Sequence, residues 1–288
     1  MTDQVVVSAG VSDGGTEGLH PPDARRRRSR LPLLLPLLVL SVLALGAVTF
    51  QLPYYTIGPG PAQPVAALID IPAEHSFPQK GQFLLTSVSL RDVTVLAAVR
   101  GWADPDVDVV RARKIIGAEP TKQTRRQFDT QLTRTMTFSR ETAVEVAFRR
   151  LGIPVPEPQP GSPPVAPPFD VKIDTGRVGG ASGGLALTLG LLDILTSGEL
   201  TGGHNIAVSG TILFEGTVGD VDGIAQKTAA ARASGATHML VAPRNHAEAL
   251  AHAGPRLQVL QVANLDQALA ALAAIGGELG TLRQPPPG

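Results

Sequence analysis

The sequence predicts an α/β (α+β) C-terminal domain, preceded by one transmembrane helix and a small mixed α/β juxtamembrane region. Three observations predict it. An uncharged apolar run, Leu31 to Leu52, matches the ~20 residues that a bilayer-crossing helix needs. Beyond Val171, short apolar stretches bounded by glycine and proline alternate with helix-length segments, the pattern of an α/β unit with its own core. Residues 53–152 carry a coarser mixture of the same signals and end at a proline-rich stretch, 153–169.

Residues 1–30 are rich in Gly, Ser, Asp and Arg without apolar periodicity, which predicts a disordered cytoplasmic tail. The tail ends in Arg25-Arg-Arg-Arg-Ser-Arg30, and no basic residue follows the apolar run until Lys80. The positive-inside rule therefore predicts a single-pass cell-membrane protein, its N-terminus cytoplasmic and residues 53 onward outside. Pro32 and Pro36 fall in the first turns of the span 31–52, where proline is best tolerated. A cleaved signal peptide is the competing reading, since Ala44-Leu-Gly46 loosely resembles a cleavage site, but the run is longer than the ~7–15 residues of a signal core. The four consecutive arginines also fit a twin-arginine export signal.

Gly58-Pro-Gly-Pro61 and Pro64 predict a turn-rich exit from the membrane, and Val65–Ile71 and Gln82–Leu90 predict strands. Ser139 reads as the N-cap of a helix over Arg140–Leu151, stopped by Gly152. Residues 153–169 predict a stiff extended linker. In the C-terminal domain, 170–276, Val171–Asp174 predicts a strand, Leu185–Leu195 a helix, and Ile206–Ser209 with Thr211–Phe214 a hairpin. A helix around Lys227, a strand over His238–Val241 and helices over His246–Ala253 and Leu265–Ile275 complete it. Residues 277–288 predict a disordered tail.

Composition excludes several chemistries. With 288 residues and 43% apolar residues the chain can build a real core, and its formal net charge of zero gives no reason to expect nucleic acid. The absence of cysteine removes disulfides and thiol nucleophiles, and the six histidines lack metal-ligand spacing, so no metal or other cofactor is expected. No Gly-x-x-x-x-Gly-Lys-(Ser/Thr) phosphate loop is present.

Chemistry concentrates at Ser182 and Lys227. Ser182 lies in Gly179-Gly-Ala-Ser-Gly-Gly184 at the mouth of an apolar helix, where unpaired N–H groups can hold an oxyanion and glycine lets a substrate backbone approach. Lys227 opens a helix of small uncharged residues, where poor solvation would lower its pKa towards that of a usable base. Taken singly, a helix-capping serine and a surface lysine are the plainer readings. A Ser-His arrangement using His204, His238 or His246 is the chemical rival.

From about Asp170 to Ala273 the sequence resembles the proteolytic domain of Lon-type peptidases. Five pieces carry the resemblance in the family's order: Gly180-Ala-Ser-Gly-Gly184, Leu195-Thr-Ser-Gly198, Ala207-Val-Ser-Gly-Thr-Ile-Leu-Phe-Glu-Gly216, Asp222-Gly-Ile-Ala-Gln-Lys227 and Gly235-Ala-Thr-His-Met-Leu-Val-Ala-Pro243. The resemblance implies a serine-type endopeptidase with a Ser-Lys dyad: Ser182 the nucleophile, Lys227 the general base, the N–H groups around Ala181 and Ser182 the oxyanion hole, and Ser209 a hydroxyl that orients the lysine. Ala181 replaces the family's usual proline, and Gly179 stands where many members carry an acid. The N-terminal part is similar to the membrane-anchored, ATPase-free Lon-like peptidases of bacteria, which implies ATP-independent hydrolysis of protein or peptide substrates outside the cytoplasm, with the bilayer engaged through 31–52. Such relatives carry a PDZ domain before the protease; here 153–169 leaves no room for one. A homo-oligomeric ring is a further implication. The alternatives are a catalytically silent Lon-fold peptide-binding module and a membrane-tethered assembly protein.

Overall fold

The computed structural model describes residues 31–154, 169–176 and 178–282. The tail 1–30, the linker from 155 to 168 and the last six residues lie outside them. The elements run α1 (Leu31–Thr49), β1 (Gln51–Pro64), β2 (Ile69–Asp70), β3 (Gln82–Thr94), α2 (Val95–Ala103), β4 (Asp108–Arg111), α3 (Ala112–Ile116) and α4 (Lys122–Arg150). They continue with β5 (Lys172–Ile173), α5 (Gly184–Leu195), β6 (Asn205–Ser209), β7 (Thr211–Ile212), β8 (Val218–Gly219), α6 (Ile224–Ala233), β9 (His238–Val241), α7 (Pro243–Ala253), β10 (Gln258–Gln261) and α8 (Leu265–Ala274).

The chain divides into two units, residues 1–45 and 46–288. In the first, α1 bears exposed Leu35, Leu37, Leu38, Val39, Leu40, Val42, Leu43 and Leu45. Among the described residues no helix is long and apolar enough to cross a membrane.

The second unit is built on one mixed sheet, ordered β10-β9-β6-β3-β1-β4. Strands β3, β6, β9 and β10 are parallel neighbours, and β1 runs antiparallel to β3 and β4. Alternation splits the core in two. Phe83, Leu85, Ile206, Val208 and Leu240 face α5, the C-terminal half of α4 and the Leu265-Leu269-Leu272 stripe of α8. Leu84, Ala207, Met239 and Val241 face α6 and α7 through Ile224, Ala231, Ala249 and Ala253. Helix α5 is buried along its whole length, as expected of a helix apolar on every side.

The region 53–152, expected as a separate juxtamembrane unit, shares this sheet and core. Gly58-Pro-Gly-Pro61 is strand, not turn: the pairing of β1 with β3 skips between Leu52 and Tyr55 and between Pro59 and Ala62, so Pro53 and Pro61 sit at bulges that need no ladder N–H. Val65–Leu68 is a 3-10 turn, and only Ile69–Asp70 of the expected strand forms. The helix expected from Arg140 begins at Lys122, capped by a Thr121-Thr124 box, so Ser139 lies inside it and is no cap. The expected hairpin also fails to form. Strand β6 pairs in parallel with β3 and β9, while Thr211–Ile212 pairs with Val218–Gly219. The cause is Gly210, whose N–H and C=O are both taken by the start of α5. Part of the expected C-terminal tail is ordered: the Glu278 N–H bonds the Glu199 carbonyl at 3.0 Å, and Leu282 bridges Thr196.

Candidate active site

Residues 179–184 form the turn that starts α5, and its geometry depends on glycine. Gly180 has φ +91°, open to glycine and strained for other residues. A Cβ at Gly183 would lie 2.8 Å from the Leu85 side chain, and one at Gly184 would lie 2.9 Å from both Ile212 and the Ser139 hydroxyl. A side chain at Gly179, where an acid is common in the resembled family, would meet Leu132 Cβ at 2.9 Å. The turn is therefore pressed between α4, β3 and β7.

Two backbone bonds tie this turn to the end of β6. The Gly210 N–H donates to the Ser182 carbonyl at 3.1 Å, and the Leu185 N–H donates to the Gly210 carbonyl at 3.1 Å. Ser182 is half-buried. The Gly184 N–H turns back to the Ala181 carbonyl at 3.2 Å, whereas the N–H groups of Ala181, Ser182 and Gly183 bond no other group among the described residues. Three successive N–H groups at the N-terminus of α5 are thus left free among the described residues, donors of the kind that suit negative charge.

Lys227 stands one turn into α6, its N–H bonded to the Gly223 carbonyl at 3.0 Å. It is 3% exposed. Burial pulls its ammonium down to a pKa of about 8, opposed by the weaker attraction of Asp222. Ser209, the last residue of β6, is paired in register with Val241 and so shares the face on which α6 packs. It is fully buried, and its hydroxyl has no hydrogen-bond partner. The expected bond between Ser209 and Lys227 is thus not made, and no hydrogen bond joins Lys227 to Ser182 among the described residues. What the structure does bring together is the Ala181-Ser182 turn, Gly210 and the adjacent Ser209.

The histidine rivals lie elsewhere. His204 and His238 pack edge to face with ring centroids 4.7 Å apart, and His238 takes the Thr237 hydroxyl as partner at 2.9 Å. His204 precedes β6 and Gly210 follows it, a separation of roughly 20 Å by strand rise. His246 is on α7 and, among the described residues, makes no hydrogen bond to the nucleophile turn. Among the described residues no group of three or more His, Asp or Glu is placed to hold a metal.

Sequence reasoning missed the contribution of α4. The Gly180 N–H donates to the Leu132 carbonyl at 3.0 Å, and the Ser139 hydroxyl donates to the Ala181 carbonyl at 3.1 Å. No local pattern signals these contacts, because they join segments 42 residues apart in the case of Ser139.

Comparison with known families finds that residues 171–274 match the Lon protease (S16) C-terminal proteolytic domain. The matched segment holds Ser182, Ser209 and Lys227, but not α4 or strands β1, β3 and β4 of the sheet. No curated protein matches the chain.

Proposed function

We propose that this chain, whose residues 171–274 are a Lon protease (S16) C-terminal proteolytic domain and hence a serine-type peptidase domain, is a membrane-anchored, ATP-independent endopeptidase acting on protein substrates outside the cytoplasm. The observation that carries the catalytic part is the buried Lys227, with a pKa of about 8, on the face that Ser209 presents. Gly210, the next residue, fastens the Ser182 turn. A neutral Lys227 takes the Ser182 hydroxyl proton as the oxygen attacks a peptide carbonyl. The charge that develops on the carbonyl oxygen is met by the free N–H groups at Ala181, Ser182 and Gly183. The lysine returns its proton to the leaving amine, the C–N bond breaks, and water then hydrolyses the acyl-serine with Lys227 again acting as base. Ser209 supports the lysine by offering its hydroxyl once substrate has entered.

The uncharged sequence of 31–52 behind four arginines supports the anchor and its orientation, and the lack of a phosphate-loop motif supports ATP independence. A silent peptide-binding module is the second reading, favoured by one observation: Ser209 and Lys227 make no hydrogen bond to each other or to Ser182 among the described residues.

The test uses the full chain in proteoliposomes with an unfolded protein added outside. Fragments are followed by mass spectrometry for wild type, Ser182→Ala and Lys227→Ala. Cleavage by wild type alone supports the dyad, whereas cleavage by all three, or by none, rejects it. Accessibility of residues 53 onward to added protease in right-side-out vesicles tests the topology.

A further inference from the structure

We propose that Ser139, on α4 and outside the family-matched segment, is a positioning residue that sets the oxyanion hole by fixing the peptide plane between Ala181 and Ser182. The inference rests on the Ser182 peptidase reading above.

The argument begins with that peptide. The described residues contain no cis bond, so the Ala181 carbonyl and the Ser182 N–H are rigidly opposed across one plane. Whatever holds the carbonyl also aims the N–H. Two donors hold it: the Gly184 N–H at 3.2 Å, which belongs to the turn itself, and the Ser139 hydroxyl at 3.1 Å, which comes from a different element. The Ser182 N–H on the other side has no partner among the described residues and stands ready for a substrate oxygen.

Ser139 departs from its own helix to make this bond. Thr130, Thr133, Thr135 and Thr137 on α4 each return their hydroxyl to the carbonyl four residues earlier, the usual local solution for such side chains in a helix. Ser139, 4% exposed, reaches instead to the Ala181 carbonyl. Two helical turns away on the same face, the Leu132 carbonyl accepts the Gly180 N–H at 3.0 Å. Helix α4 thus grips the turn as an acceptor before the nucleophile and as a donor at it. Glycine makes both approaches possible, since a Cβ at Gly179 or Gly184 would meet Leu132 or Ser139 at 2.9 Å. An oxyanion hole made of backbone donors works only if the donors are already oriented when charge develops, and α4 supplies that orientation from outside the catalytic segment.

The test compares wild type, Ser139→Ala, Ser139→Thr and Ser182→Ala in the full chain, using a peptide substrate taken from a Ser182-dependent cleavage site and a peptidyl boronate as a tetrahedral mimic. Ser139→Ala should lower kcat and boronate affinity together by about tenfold, with KM and the thermal midpoint nearly unchanged. Ser139→Thr, which keeps the hydroxyl, should recover most of the loss. Unchanged kcat in Ser139→Ala overturns the inference, as does a loss that falls on KM or on the thermal midpoint, or one that threonine leaves unrepaired in a folded protein. If Ser182→Ala cleaves like wild type, the peptidase reading fails and this inference falls with it. The Ser182 control separates that case from a failure of Ser139 alone.

Discussion

The Gly210 N–H donates to the Ser182 carbonyl at 3.1 Å, so the residue that follows β6 ties the nucleophile turn to the sheet. A Cβ at Gly210 would lie 3.0 Å from Val218, tighter than an ordinary contact, so Val218 or Gly210 must shift, and a shift of Gly210 carries its two bonds to the nucleophile turn with it. Gly210→Ala should therefore lower kcat by about tenfold or more, since small misplacements of a reacting group are costly. It should lower stability by only about 1 kcal/mol. Steady-state kinetics beside denaturant titration separates the two effects. A fully active Gly210→Ala would mean that the turn is held by its other contacts alone.

Lys227 gives a second prediction, with opposite consequences for rate and stability. Its neutral form is the base, so kcat/KM should rise with pH and level off above an apparent pKa of about 8. Its folded pKa lies below the ordinary value of 10.5, so between about 8 and 10.5 the unfolded chain binds more protons and stability increases with pH. Below pH 8 the burial penalty is present in full. Lys227→Met should thus abolish cleavage and, at pH 7, raise the unfolding free energy by about 1 to 3 kcal/mol. Denaturant titration of both proteins at pH 7 checks this, and a destabilised Lys227→Met would contradict a poorly solvated ammonium.

Gly184 offers a third. Alanine at an ordinary helix position is worth about 1 kcal/mol over glycine. At 184 the added methyl would meet Ile212 and the Ser139 hydroxyl, both at 2.9 Å, and displacing them reverses the sign. Gly184→Ala should destabilise by about 1 to 3 kcal/mol, as overpacking does, and slow cleavage because Ser139 and the turn shift together. A raised thermal midpoint would show that α4 yields easily and that the close fit is unimportant.

Legibility in the sequence followed the range of the interactions involved. Strand β9 could be read to the residue, His238–Val241, because a short apolar run flanked by Ala236-Thr237 and Ala242-Pro243 has no competing pattern. Ser182 and Lys227 stood out because a glycine run before an apolar helix and a lone cation among alanines are local signals. Strand β1 was hidden by its prolines, which only the bulges opposite β3 make tolerable. The first half of α4 was hidden because Lys122 to Arg134 presents almost no apolar face, and its stability comes from the cap at Thr121 and from the buried second half. Ser139 was legible as a hydroxyl before an apolar stretch, which suggests a cap. Its contact with Ala181 depends on a fold that no local window contains.

Asp193 carries the last prediction, at the end of α5 remote from the nucleophile. It is 3% exposed, and its carboxylate accepts the Leu200 N–H at 2.9 Å. Burial raises its pKa from 3.8 to about 7, the nearby Glu199 charge adds to the rise, and the Leu200 N–H opposes it. Because the folded pKa is the higher one, the folded chain binds more protons between about pH 4 and 7, and stability falls as pH rises through that window. Asp193→Asn keeps an acceptor for Leu200 but cannot ionise. The variant should gain on wild type by on the order of 2 kcal/mol on going from pH 5 to pH 8. Its kcat should be unchanged, because roughly 16 Å of helix separates position 193 from Ser182. Urea titrations of both proteins at the two pH values measure the difference, and parallel pH responses would show that Asp193 is solvated enough to ionise without cost.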